Sequence, residues 1–113
     1  MHALIIEDEF MIAKEIEYVL RDCGFETIDI ALSREAAIDA AAENCPDLIT
    51  ADVQLQPGCG IETVRTICPQ TSTPVIFITG DATEVRRQVP QHTVLAKPFS
   101  EQTLTYTIAS ALA

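Results

Sequence analysis

Hydrophobic residues fall along this chain in five short runs separated by longer amphipathic stretches. The first run, Ala3-Leu4-Ile5-Ile6, stops at the acidic pair Glu7-Asp8. From about 9 to 23 the apolar positions Ile12, Ile16, Val19, Leu20 and Cys23 recur at helical spacing, and Gly24 follows as a C-terminal cap. Residues 27–31 read as a second strand. Ser33 is placed to N-cap an Ala-rich helix that runs to about Asn44 and stops before Pro46.

The third strand spans 47–52 and ends in Asp52, and a third helix spans 60–68 before Pro69. Pro74 introduces Val75-Ile76-Phe77-Ile78-Thr79, a β-branched and aromatic run with the strongest strand signal in the sequence. Residues 81–88 leave room for only about two helical turns before Pro90. Residues 93–96 form a fifth strand. After Lys97-Pro98, Ser100 can cap a last helix with Leu104, Ile108, Ala111 and Leu112 on its inner face.

Strands that are apolar throughout, alternating with helices, imply a parallel sheet covered on both sides. The predicted fold is α/β and flavodoxin-like, a (βα)5 arrangement with strand order 2-1-3-4-5. One domain over residues 1–113, with no output domain, is expected.

The strand ends change the picture from fold to chemistry. Ligands of open parallel sheets bind outside the carboxyl ends of the strands, where strand order reverses. Those ends carry Glu7, Asp8, Asp52, Thr79 and Lys97. Taken alone, Asp52 is an ordinary strand-end acid and Thr79 could merely cap a turn. Together they suit phosphoryl transfer. Clustered carboxylates repel one another unless a hard cation such as Mg²⁺ or Mn²⁺ joins them. Lys97 brings positive charge to the transferred oxygens, Thr79 a hydroxyl donor, and Asp52 a nucleophile able to form an acyl phosphate.

In these motifs, over essentially its whole length, the chain resembles the receiver domain of bacterial two-component response regulators. The resemblance implies that Asp52 accepts a phosphoryl group from a sensor histidine kinase or a histidine phosphotransferase. It further implies that Asp8, Asp52 and the main-chain carbonyl of Gln54 hold Mg²⁺, with Glu7 acting directly or through water. Gln54 and Asp81, two residues after the aspartate and the threonine, would tune dephosphorylation. The Lys97-Pro98 bond is expected in cis, an isomer accessible to X-Pro bonds at roughly 0.5–1 kcal/mol. Receivers usually carry an aromatic residue three positions before the lysine. Here it is Val94, so the common threonine–aromatic switch is not expected. That departure resembles an atypical subgroup, some of it associated with alphaproteobacterial general stress signalling.

Composition narrows the partners. Seven basic residues against seventeen acidic ones give a formal charge of −10, which argues against nucleic-acid binding. No apolar run is long enough to span a membrane, and no signal-peptide pattern is seen, so a cytoplasmic protein is expected. Cysteines 23, 45, 59 and 68 show no metal-site spacing and are expected as reduced thiols. His2 and His92 read as strand-edge residues. Phe10 and Met11, off the core stripe of the first helix, could dock a kinase helix together with Lys14 and Glu15.

The function expected is therefore a phosphoacceptor that signals by protein contact or drains phosphate from a kinase, more readily monomer than dimer. The alternative is a pseudo-receiver, an interaction module that never carries phosphate. A flavodoxin-like cofactor carrier fits poorly, because no glycine-rich phosphate loop follows the first strand.

Overall fold

The computed structural model describes residues 1–67 and 72–113. Strands β1 (His2–Ile6), β2 (Thr27–Ala31), β3 (Leu48–Asp52), β4 (Val75–Thr79) and β5 (Thr93–Ala96) form one sheet of order β2-β1-β3-β4-β5. Every adjacent pair is parallel. The helices are α1 (Phe10–Asp22), α2 (Arg34–Glu43), α3 (Gly60–Thr66), α4 (Ala82–Gln88) and α5 (Glu101–Leu112).

Strand periodicity sorts the core into two halves. Leu4, Ile6, Ile49, Ala51, Val75 and Phe77 meet α2, α3 and α4 on one face of the sheet. Ala3, Ile5, Leu48, Ile76 and Ile78 meet α1 and α5 on the other. All five residues of β1, β3 and β4 are buried. Burying a side chain such as Ile76, Phe77 or Ile78 contributes roughly 1.5–3 kcal/mol. The central strands are therefore rigid rods, and the groups at their carboxyl ends inherit that rigidity.

The local signals act where the sequence puts them. Ser33 Oγ accepts from Ala36 N, and Ser100 Oγ from Thr103 N, each at 3.1 Å. Gly24 has φ +100°, the left-handed conformation that ends α1. Buried on α1 are Ala13, Ile16, Val19 and Leu20, while Ile12 and Cys23 are only half-buried.

Some expectations need correction. On α5 the buried residues are Leu104, Thr107 and Ile108; Ala111 is half-buried against the core, and Leu112 is 37% exposed. Thr107 is tolerated inside because its hydroxyl donates to Thr103 O at 2.7 Å. His2 is not an edge group but buried, its ring bonded to Thr27 Oγ1 and Asp29 Oδ2 on β2. His92 is half-buried and meets Phe77 edge-on, with ring centroids 5.6 Å apart. Cys23 and Cys59 are free, but Cys45 is disulfide-bonded. Pairing depends on proximity in space, which cysteine spacing does not reveal. The expected last residue of α3, Cys68, and the Pro69 stop lie outside the described residues.

Candidate functional site

Asp52 closes β3 opposite Ile78 of β4, and Thr79 closes β4 opposite Ala96 of β5. The Lys97 amide donates to Thr79 O at 2.8 Å, which continues the β4–β5 ladder up to the lysine. Glu7 follows β1, and its amide donates to Ala31 O at 3.0 Å. The sheet thus carries acids from β1 and β3, and the cation from β5, to one edge.

Their side chains meet. Lys97 Nζ stands 3.3 Å from Asp52 Oδ2 and 3.4 Å from Glu7 Oε1. Single carboxylate oxygens of Glu7, Asp8 and Asp52 all lie within 4.8 Å of one another. Glu7 and Asp52 are buried, and Asp8 is half-buried at the rim. Main-chain donors hold each acid: Glu9 N donates to Glu7 Oε2, Gln54 N to Asp52 Oδ1 and Gln56 N to Asp8 Oδ2, each at 3.1 Å.

The electrostatics follow from burial. Loss of water, with the charge of Asp52 adding to it, pushes the Glu7 carboxyl up to about 7, although the Glu9 amide and Lys97 pull the other way. Burial disfavours the Lys97 ammonium, but Glu7 and Asp52 outweigh it and hold the lysine above its ordinary value. Three carboxylates face one ammonium, an excess of negative charge that a divalent cation would offset. An all-oxygen donor set of this size suits Mg²⁺ or Mn²⁺ rather than a soft metal.

Thr79 is buried and its Oγ1 accepts from Asp81 N at 3.0 Å, which leaves the hydroxyl hydrogen available to a further acceptor. The Asp81 carboxylate also caps α4, with its Oδ1 accepting from Glu84 N at 3.4 Å. The Lys97–Pro98 peptide is cis, and so is Gln56–Pro57, which no sequence signal distinguished. Val94 is half-buried beside Phe77 in the β4–β5 register.

A groove borders the site. A hollow of about 360 Å³ is lined by Ile12, Glu15, Lys97, Pro98 and Phe99. Next to it, a shallower one of about 550 Å³ touches Met11, Lys14, Glu15, Tyr18 and Glu101. Met11 is 78% exposed and Phe10 54%, while Lys14 lies over the Phe10 ring at 5.9 Å and pairs with Glu17. Among the described residues no helix is long and apolar enough to cross a membrane.

Sequence reasoning missed one participant. Gly60, noted only as the start of α3, packs against the main chain of Asp52.

Comparison with known proteins agrees with this geometry. The family model described as the response regulator receiver domain matches residues 3–109. The phyllosphere-induced regulator PhyR of Methylorubrum extorquens is 36% identical over 96% of this chain and 42% of its own length. The solution structure of the PhyR response regulator receiver domain from Erythrobacter litoralis superposes with TM-score 0.88, at 37% identity, over 98% of this chain and 88% of that one. These PhyR relatives accord with the likeness to the alphaproteobacterial subgroup. The Vibrio cholerae chemotaxis protein CheY4 shares the fold, with TM-score 0.85 at 24% identity over 98% of both chains. This chain spans less than half the length of the first curated relatives it matches. On its sequence, its strand order and the residues at its strand ends, the chain belongs to the family of response regulator receiver domains.

Proposed function

We propose that the domain accepts a phosphoryl group on Asp52 in a Mg²⁺-dependent reaction. The observation that carries this reading is the convergence of Lys97 Nζ, 3.3 Å from Asp52 Oδ2, with the carboxylates of Glu7, Asp8 and Asp52. Asp8, Asp52 and the Gln54 carbonyl would hold the cation, with Glu7 direct or through water; bound there, it supplies positive charge to the phosphoryl oxygens.

The chain's own residues then do the following. A carboxylate oxygen of Asp52 attacks phosphorus, and the phosphorus–nitrogen bond of a donor phosphohistidine breaks. Its electron pair returns to the imidazole nitrogen, and an acyl phosphate is left on Asp52. Lys97 shifts from its two carboxylates toward the incoming oxygens, where its charge offsets theirs. The Thr79 hydroxyl, its oxygen already accepting from Asp81 N, donates its hydrogen to a phosphoryl oxygen. Burial of Asp52 limits competing water until the group is in place.

A sensor kinase or histidine phosphotransferase is the donor in this account. Exposed Phe10 and Met11, with Lys14 and Glu15, flank the groove that ends at Lys97 and Pro98, which suits a helix delivering its histidine to the site. The signal would leave by protein contact or be lost as hydrolysed phosphate, with Gln54 and Asp81 setting the rate.

Beryllofluoride, which mimics the acyl phosphate, tests the reading. Amide NMR should show saturable, Mg²⁺-dependent shifts around residues 52, 79 and 97, lost in Asp52→Ala. A folded wild-type chain that binds neither Mg²⁺ nor beryllofluoride would overturn it in favour of an interaction module.

A further inference from the structure

The loop between β3 and α3 touches two acids from different strands. Its Gln54 amide donates to Asp52 Oδ1 and its Gln56 amide to Asp8 Oδ2, each at 3.1 Å. The loop then turns back on itself. Gln54 and Cys59 form an isolated antiparallel bridge, and Gly60 N donates to Val53 O at 2.9 Å. This closure presses residue 60 onto the end of β3. A Cβ there would lie 2.0 Å from Asp52 O, 2.8 Å from the Asp52 carbonyl carbon and 3.1 Å from Val53 Cα. All three are main-chain atoms, so no side-chain rotation relieves the overlap. Gly60 is needed for space, not for a left-handed φ, which is found only at Gly24 and Gly58 among the described glycines.

We infer that Gly60 is a positioning residue of the phosphoacceptor site. Its missing side chain lets the loop close far enough for the Gln54 and Gln56 amides to hold Asp52 and Asp8 where they can share a cation. The inference rests on the Mg²⁺-dependent reading above. It adds that the geometry of the acids is set from behind, by a residue that contacts neither the cation nor the phosphoryl group. A methyl at position 60 must push the loop away from β3. Both amide–carboxylate bonds then lengthen together, although the acids themselves are unchanged.

Calorimetric titration of the whole chain with Mg²⁺ tests this, using wild type, Gly60→Ala and Ile108→Val. The last is a distant truncation in the α5 core that lowers stability without touching the loop. Each variant is first checked by circular dichroism for folding at the titration temperature. Losing the supports of metal ligands weakens affinity by about 10–100-fold. That loss is expected for Gly60→Ala, with wild-type affinity for Ile108→Val. Unchanged affinity in folded Gly60→Ala, or equal losses in both variants, would refute the positioning role. Should Gly60→Ala not fold, wild-type amide NMR decides. Gly60, Gln54 and Gln56 should shift on one Mg²⁺ midpoint, and a silent Gly60 beside a responding Gln54 refutes the inference. Absence of Mg²⁺ binding by wild type would instead refute the phosphoacceptor reading, and this inference with it.

Discussion

Lys97 Nζ lies 3.3 Å from Asp52 Oδ2, and the same ammonium reaches Glu7 Oε1 at 3.4 Å. Two buried carboxylates from β1 and β3 thus share one cation from the end of β5. A buried ion pair adds little net stability, but removing one partner strands the charge left behind.

Replacing Lys97 by Met should therefore destabilise the metal-free domain. A fully buried pair loses about 3–5 kcal/mol when broken, and the quarter exposure of Lys97 lowers the expectation to about 1–3 kcal/mol. Mg²⁺ should then stabilise the variant more than wild type, because the cation replaces the missing charge. Urea denaturation with and without Mg²⁺ checks both statements; a variant as stable as wild type without metal contradicts the first.

Glu7 makes stability depend on pH. Its carboxyl is raised from an ordinary 4.5 to about 7, so between those values the folded state holds a proton that the unfolded chain has lost. Stability without metal should fall as pH rises through that window, by at most about 1.4 kcal/mol per pH unit, and level off above it. Mg²⁺ binding needs the carboxylate, so affinity should climb over the same range. Lys97 acts in a separate window: its raised value contributes stability that persists through neutral pH and is lost only above its ordinary 10.5. Glu7→Gln should flatten the profile between 4.5 and 7; an unaltered slope would assign it to another group.

Thr50 carries an unnecessary polar atom. Its Oγ1 is buried without a hydrogen-bond partner, between Ile5 of β1 and Ile76 of β4. Valine keeps the shape and removes the orphaned hydroxyl, so Thr50→Val should stabilise the fold by about 1 kcal/mol. Chemical denaturation would show a higher midpoint with unchanged slope. A lower midpoint would mean that the hydroxyl has a partner in solution.

The fold was legible because its signals are local. The run 75–79 is apolar at every position but the last, and 48–52 is interrupted before its final acid only by Thr50, which marks central parallel strands, and helices 34–43 and 101–112 begin at serines that do cap them. Glu7, Asp8, Asp52, Thr79 and Lys97 could be grouped in advance because a parallel sheet delivers all its carboxyl ends to one edge. Contacts made by the loop path could not be grouped that way. Neither the approach of Gly60 to Asp52, nor the Gln56–Asp8 hydrogen bond, nor the burial of His2 against Asp29 leaves a periodic trace. The cap that the Asp81 carboxylate places on α4 is likewise set by where that short helix starts, which the distance of Asp81 from Thr79 along the chain does not show.

Intact-mass spectrometry of the chain after incubation with acetyl phosphate tests the central claim most directly. Wild type with Mg²⁺ should gain one phosphoryl group, and neither Asp52→Ala nor the metal-free protein should gain any. An adduct that persists in Asp52→Ala, or forms equally well without Mg²⁺, would contradict the account.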